Sequence, residues 1–257
     1  IRKLFNYLTN GKLQWADMGE VYDRVIIGEK QYDFVKGVKN FKVQMTHYFP
    51  MDATAIDRYV DLIFEANKAM KYFYLNKTMP KLINRLLGPW LKKKYLHFSD
   101  QTTYGVLSAL TQNEALIKVL CGQHGDYGLL PRQSSFAMHA AVVKHYFDGG
   151  SFPIGGSGVI VTYIEQILAT HQSDLLISAE VAEIWVKLNQ AIGVRMKDGK
   201  QFFAKAVVSG VGIFNTYDQL LAPESKWCAW FKKQLQKIQP SEGHGCLYIG
   251  LKGTPQD

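Results

Sequence analysis

Cysteine is scarce in this chain. Cys121, Cys228 and Cys246 lie far apart, form no CxxC pair and leave an odd count, so neither a disulfide framework nor a thiolate zinc site is indicated. No GxGxxG follows a strand-like run anywhere in the 257 residues, and that fingerprint is what normally cradles a dinucleotide pyrophosphate. No run approaches the ~18 apolar residues of a spanning helix, and the opening IRKLFNYLTNGKLQW has no signal-peptide apolar core. The first residue is not Met, and the chain reads as an interior piece of a larger protein. Between Lys77 and Lys94 there is no acidic residue at all.

What is present suffices for real cores: 47% of residues are hydrophobic and 13% aromatic. The formal net charge is +8, and Lys77, Lys81, Arg85, Lys92, Lys93 and Lys94 form the densest basic stretch. Such a stretch favours an anionic surface. The residues interleaved with it, among them Leu82, Leu86 and Trp90, are apolar and suit a membrane surface rather than base readout, so nucleic acid is not the expected partner. A solvated helix face is the plainer reading of the same pattern.

Along the chain, apolar runs before and after Gly28-Glu29 predict a hairpin or paired short strands within residues 13–37. Ile56, Val60, Ile63, Met70 and Phe73, spaced by three, four or more, predict an amphipathic helix with Asp52 placed to cap it. Two helices broken near Gln112-Asn113 are expected in 99–120, a turn in 122–133, and a helix from Ser134 or Ser135 to about Phe147. After a further helix over 159–169, strands are expected at 175–181, 183–188 and 192–196, and at 201–208 beyond the Asp198-Gly199 turn.

Residues 146–161, YFDGGSFPIGGSGVIV, carry the strongest local signal. A glycine-rich turn that opens a helix brings backbone N–H groups and a positive helix end to one point, which suits an anionic cofactor group. By spacing alone, it serves equally as a structural turn. Taken with Gln14-Trp15-Ala16, the helix from Ser134 through His145-Tyr146, Ala179-Glu180-Val181, Gly193-Val194 and the stretch Val207-Val208-Ser209 to Tyr217, it resembles the flavin-dependent phytoene desaturase and carotenoid isomerase superfamily. The likeness runs on to Leu251-Lys252-Gly253-Thr254 and so covers essentially the whole chain. Two departures stand out: Ser209-Gly210-Val211 where relatives have Ser-Asn-Ala, and Ser173-Asp174 where they have a glycine pair.

The resemblance implies a mixed α+β and α/β flavoprotein of two domains: a discontinuous FAD domain, here without its first βαβ unit, and an inserted helix–sheet substrate domain. Residues 1–147 would form the substrate domain, 148–214 part of the FAD domain, and 215–257 a return to the substrate domain. FAD is the implied cofactor, with NAD(P)H as a source of reducing equivalents. The implied reaction is on a C=C bond of a retinoid or carotenoid-like polyene, saturation of a retinoid first; desaturation, isomerisation and a non-catalytic isoprenoid-binding role are the alternatives. A peripheral, membrane-associated location is implied, at the endoplasmic reticulum in a eukaryote or the cytoplasmic membrane face in a bacterium.

Site residues follow from the same resemblance. Gly155, Gly156 and Ser157 would contact the flavin cofactor, the backbone of Val181 its adenine part, and Ser209 and Gly210 would approach the ring. The helix beside the isoalloxazine makes His139 a candidate pocket-lining or proton-donating group, although a satisfied interior or surface histidine is the commoner role. Tyr127, Leu129, Phe136 and Met138 would line a hydrophobic substrate slot. His139 and His145, six apart, do not share a helical face, so no metal pair is expected.

Overall fold

The computed structural model describes residues 2–222, 226–238 and 243. Cys246, Leu251–Thr254 and about half of the expected 215–257 return segment lie outside them. The architecture is mixed helix and sheet, as expected, and the chain divides into two compact units between Val161 and Thr162. The segment expected to belong to the cofactor domain, 148–214, spans that division.

The first unit begins with α1 (Arg2–Leu8), β1 (Trp15–Asp17), β2 (Val21–Ile27) and β3 (Lys30–Val35). β2 and β3 form the expected hairpin, with Ile27 opposite Lys30 across Gly28-Glu29. Next come α2 (Val38–Tyr48), α3 (Ala53–Thr78), α4 (Lys81–Ser99), α5 (Thr103–Leu110), α6 (Glu114–Leu120) and α7 (Phe136–Tyr146). The core gathers on α3: Ile56, Val60 and Ile63 are essentially fully buried, and each contributes about 1.5–3 kcal/mol by leaving water. Farther along the same face, Ala66 and Ala69 are small and buried. Asn67 on α3 donates to the Ala140 carbonyl of α7 at 2.8 Å, fixing how the two helices cross.

Asp52 does not cap α3 with its side chain. Its carboxylate instead accepts from Thr111 Oγ1 at 2.5 Å and from Asn113 Nδ2 at 2.7 Å, tying the start of α3 to the α5–α6 junction. At that junction Asn113 Oδ1 accepts the backbone N–H groups of Ala115 and Leu116, the local signal that breaks the two helices where the sequence places the break.

Pro80 separates α3 from α4, and an asparagine clasp closes the hairpin they make. Asn76, fully buried, donates to Asn84 Oδ1 at 2.7 Å, and Asn84 returns a bond to the Asn76 carbonyl at 2.8 Å. Gly88 sits against this pair, and a methyl there would overlap Asn84 Oδ1 and press on Asn76 Nδ2. Alanine normally favours a helix by about 1 kcal/mol over glycine. Breaking a buried amide pair costs about 1–3 kcal/mol. Gly88→Ala is therefore expected to destabilise the protein, against its helix propensity, by roughly 1–2 kcal/mol in chemical denaturation.

β4 (Ser151–Pro153) pairs antiparallel with β1, setting Trp15 opposite Pro153 and Asp17 opposite Ser151. Two motif stretches far apart in sequence, Gln14-Trp15-Ala16 and Phe152-Pro153, thus become neighbours. α8 (Gly158–Thr170) follows, and the division between the units falls within it.

The second unit holds β5 (Val181–Lys187), β6 (Gln190–Met196) and β7 (Gln201–Phe203), an antiparallel sheet in chain order. Ile184 and Met196 are its buried residues, and Glu183 faces Arg195 across the ladder in a 2.6 Å ion pair. Gly193 is required by packing: a Cβ there would collide with the carbonyl oxygen and Cα of the adjoining strand at Phe202 and Phe203. Gly193→Ala is expected to detach β7 and cost about 1–3 kcal/mol, the range of overpacked sites, measurable by denaturant titration. Beyond the sheet, α9 (Ile213–Asn215), a π-helical turn (Thr216–Leu220) and α10 (Lys226–Leu235) stack Tyr217 on Phe231 at 4.2 Å.

Two expected strands are corrected. Residues 175–180 form no strand, and β5 begins only at Val181. Ser178 turns the chain at φ 51°, and Leu175, Leu176 and Ile177 stay largely exposed, an apolar run with no ladder to join among the described residues. The run 201–208 is a strand only through Phe203, the last ladder bond running from Ala204 N–H to the Ile192 carbonyl at 3.0 Å. Phe202 and Phe203 are themselves exposed, so no buried face holds the strand further. No described helix is long and apolar enough to cross a membrane.

Candidate functional site

The expected site residues fall in both units, and each group is described by itself. In the first unit, the Gly156 N–H donates to the Pro153 carbonyl at 3.0 Å, closing a tight turn directly before α8. Gly155 and Gly156 both have left-handed backbones, φ 92° and 87°, which explains why glycine occupies both positions. The two differ in their surroundings. A Cβ on Gly155 would press on Val159, its neighbour one helical turn along, whereas a Cβ on Gly156 would meet nothing within 4 Å. With Ser157 exposed, the turn presents an open backbone surface at the positive end of a 13-residue helix. This arrangement fits an anionic group that must approach the main chain closely.

His139 is fully buried on α7. Its Nε2 lies 2.9 Å from the Tyr59 hydroxyl and its Nδ1 3.1 Å from that of Tyr127, so one ring nitrogen donates and the other accepts. Burial pushes its pKa down to about 3, which keeps the ring neutral in any ordinary medium. Burial, with Cys121 nearby, raises Tyr127 to about 12 and also holds Tyr59 well above its ordinary value. As placed, the imidazole ties two tyrosines together and exposes no nitrogen at a surface. That is a histidine satisfied in the interior, and it does not have the geometry of the expected pocket-facing proton donor.

The expected slot residues divide in the same way. Phe136 is wholly buried against Phe98 and His139, Tyr127 and Leu129 are half-buried, and Met138 is 53% exposed. A groove of this unit lies elsewhere, between α3 and α4, with a volume of about 800 Å³ and walls that include Tyr72, Trp90, Leu91 and Phe98. Of these, the sequence marks only Trp90 and Leu91, as part of the basic amphipathic stretch 77–94.

In the second unit, Ala179 and Glu180, just ahead of Val181, line a depression of about 600 Å³ together with Leu176, Met196 and Phe202. Glu180 is paired with Lys197 at 2.6 Å on its rim. Ser209 and Gly210 lie in irregular chain after β7. The Ser209 hydroxyl is 2.6 Å from Thr216 Oγ1, which anchors the loop, and a Cβ on Gly210 would meet nothing within 4 Å. Among the described residues no group of three His, Cys, Asp or Glu side chains could hold a metal ion.

No family model matches the chain. Individual relatives do. All-trans-retinol 13,14-reductase of Danio rerio is 32% identical over the whole chain, which spans 44% of that protein's length. Prolycopene isomerase 1 of an Oncidium hybrid cultivar is 37% identical over 72% of this chain and 32% of its own. Among solved structures, an oxidoreductase from Methanosarcina mazei superposes with a TM-score of 0.60 at 16% identity, covering 92% of this chain and 51% of that one, and so shares the fold. The chain thus spans about half the length, or less, of the proteins it matches, and throughout its own length it is a homologue of the all-trans-retinol 13,14-reductases, with the carotenoid isomerases as further relatives.

Proposed function

We propose that the chain is part of an FAD-dependent oxidoreductase acting on a C=C bond of a retinoid or carotenoid-like polyene, and that its reaction is saturation of all-trans-retinol to the 13,14-dihydro form. The observation that carries this reading is the likeness of this whole chain to part of the retinol 13,14-reductase, together with an open, positively polarised glycine turn in the motif. FAD, when bound, supplies the hydride, and NAD(P)H is the proposed source of its electrons.

The chain's own part is binding and exclusion of water. The Gly155–Ser157 turn offers its open main chain at a helix start to an anionic cofactor group, the Ala179–Val181 strand entry gives main-chain contact to the adenine side, and the Ser209–Gly210 loop lets the main chain approach a flat ring because no side chain fills the space at Gly210. His139 keeps Tyr59 and Tyr127 in register beneath α7. The proton for the second alkene carbon comes from a group other than His139, whose buried ring stays neutral. A substrate this apolar places the enzyme at a membrane surface as a peripheral protein.

A visible absorption spectrum of the intact protein tests the cofactor reading. A bound flavin band supports it. Complete absence of flavin in protein purified without loss of fold overturns it in favour of a non-catalytic isoprenoid-binding protein.

A further inference from the structure

One helical hairpin holds the whole charge excess of the chain. Between Glu65 and Asp100 there is no acidic residue, while eight Lys and Arg lie from Lys68 to Lys94. Those eight equal the formal net charge of +8, so the rest of the chain is balanced. The second half of α3 and all of α4 thus form a single cationic body.

The same hairpin exposes apolar surface in an ordered way. Leu82, Leu86 and Trp90 are 81%, 82% and 71% exposed. They recur every four residues and so form one stripe along α4, with Lys81 and Arg85 on the adjoining ridge. Beside this stripe lies the 800 Å³ groove, its floor of Ala69, Tyr72, Leu91 and Phe98 and its rim of Lys68, Lys93 and Lys94. Glu65, the acid in its wall, is already held by Arg58 at 2.7 Å, and none of the three rim lysines has a carboxylate partner among the described residues. A volume of this order suits a small-molecule chain, and unpaired lysines around an aromatic floor suit an anionic headgroup at its end.

We propose that the α3–α4 hairpin docks this protein on an anionic bilayer, with the Leu82–Leu86–Trp90 stripe in the interface and the groove seating an acyl chain whose headgroup meets Lys68, Lys93 and Lys94. Charge complementarity selects an anionic partner, and the exposed apolar stripe selects a bilayer over a nucleic acid, which would leave that stripe in water. The inference deepens the membrane part of the reading above and needs none of its redox chemistry.

The test is partition of the intact protein onto phosphatidylcholine vesicles with and without phosphatidylserine, followed by co-sedimentation over a range of salt. Strong binding only to the serine-containing vesicles, weakening as salt rises, is expected. Replacing Lys92, Lys93 and Lys94 together by Gln should weaken it on the order of 100-fold, since each lysine near the surface contributes about fivefold. The second variant, Leu86→Ser with Trp90→Ser, alters only exposed side chains and should weaken binding at every salt concentration. Equal binding to neutral vesicles, unchanged partition of either variant, or binding to duplex DNA without binding to vesicles would overturn the proposal. Because no turnover or flavin signal is read, failure here leaves the redox reading standing.

Discussion

As the pH falls from 6.5 to 5, the protein is expected to lose about 2 kcal/mol of stability through His139 alone. The ring's pKa is about 3 in the folded state, against about 6.5 for an unperturbed histidine. A depressed value means that the unfolded chain binds the extra proton first, so below pH 6.5 each unit of pH favours unfolding by about 1.4 kcal/mol until the folded value is reached. At pH 7 the effect is absent. His139→Gln removes the titration while keeping one donor and one acceptor for Tyr59 and Tyr127, and should flatten the acid limb of stability against pH. His139→Ala would take from the buried Tyr59 hydroxyl its imidazole partner and leave a cavity beside it, at a cost of about 3–5 kcal/mol. Denaturant titrations of the three proteins across pH 4–7 check both statements; identical slopes for native protein and the Gln variant would place the acid sensitivity elsewhere.

The second large effect is at Gly156. An alanine there fits the available space but holds a left-handed backbone, which costs about 1–2 kcal/mol of folding. If an anionic cofactor group lies against this open main chain, the added methyl also stands between it and the N–H groups, and flavin affinity should fall by at least about tenfold, or 1.4 kcal/mol, beyond any loss of stability. Gly28→Ala provides the control, because that glycine is also left-handed with open space around it but lies in the β2–β3 turn. The two variants should lose similar stability in denaturation, and only Gly156→Ala should lose flavin on dialysis. Equal flavin retention in both would reduce the glycine turn to a structural device.

Local signals carried much of this fold. The turn at Gly28-Glu29, the break capped by Asn113 and the Asp198-Gly199 reversal each depend on a few adjacent residues, and the structure bears them out. The pairing of β1 with β4 depends on residues more than a hundred positions apart, and no periodicity announces it. Asp52 has a capping residue's position, yet its oxygens find better donors in Thr111 and Asn113, which only tertiary structure supplies. The apolar run at 175–177 looks like a buried strand because burial is the usual reason for such a run, and here it stays exposed.

The candidate site was legible to a similar degree. The glycine turn stands out because an open, positively polarised helix start has few residue solutions. His139 could be recognised as a titratable group on the right helix, but its two tyrosine partners lie 80 and 12 residues away, and those contacts decide what it can do. The excess of basic residues could be counted along the chain. That they frame a groove between α3 and α4 depended on where Pro80 and the asparagine clasp fold the hairpin.

The most direct test of the central claim is turnover: the intact protein, reduced under anaerobic conditions, is mixed with all-trans-retinol, and the products are separated and weighed by mass spectrometry. A product two hydrogens heavier than retinol, formed as the bound flavin reoxidises, is the expected result. Unchanged retinol beside a flavin that stays reduced would contradict the account.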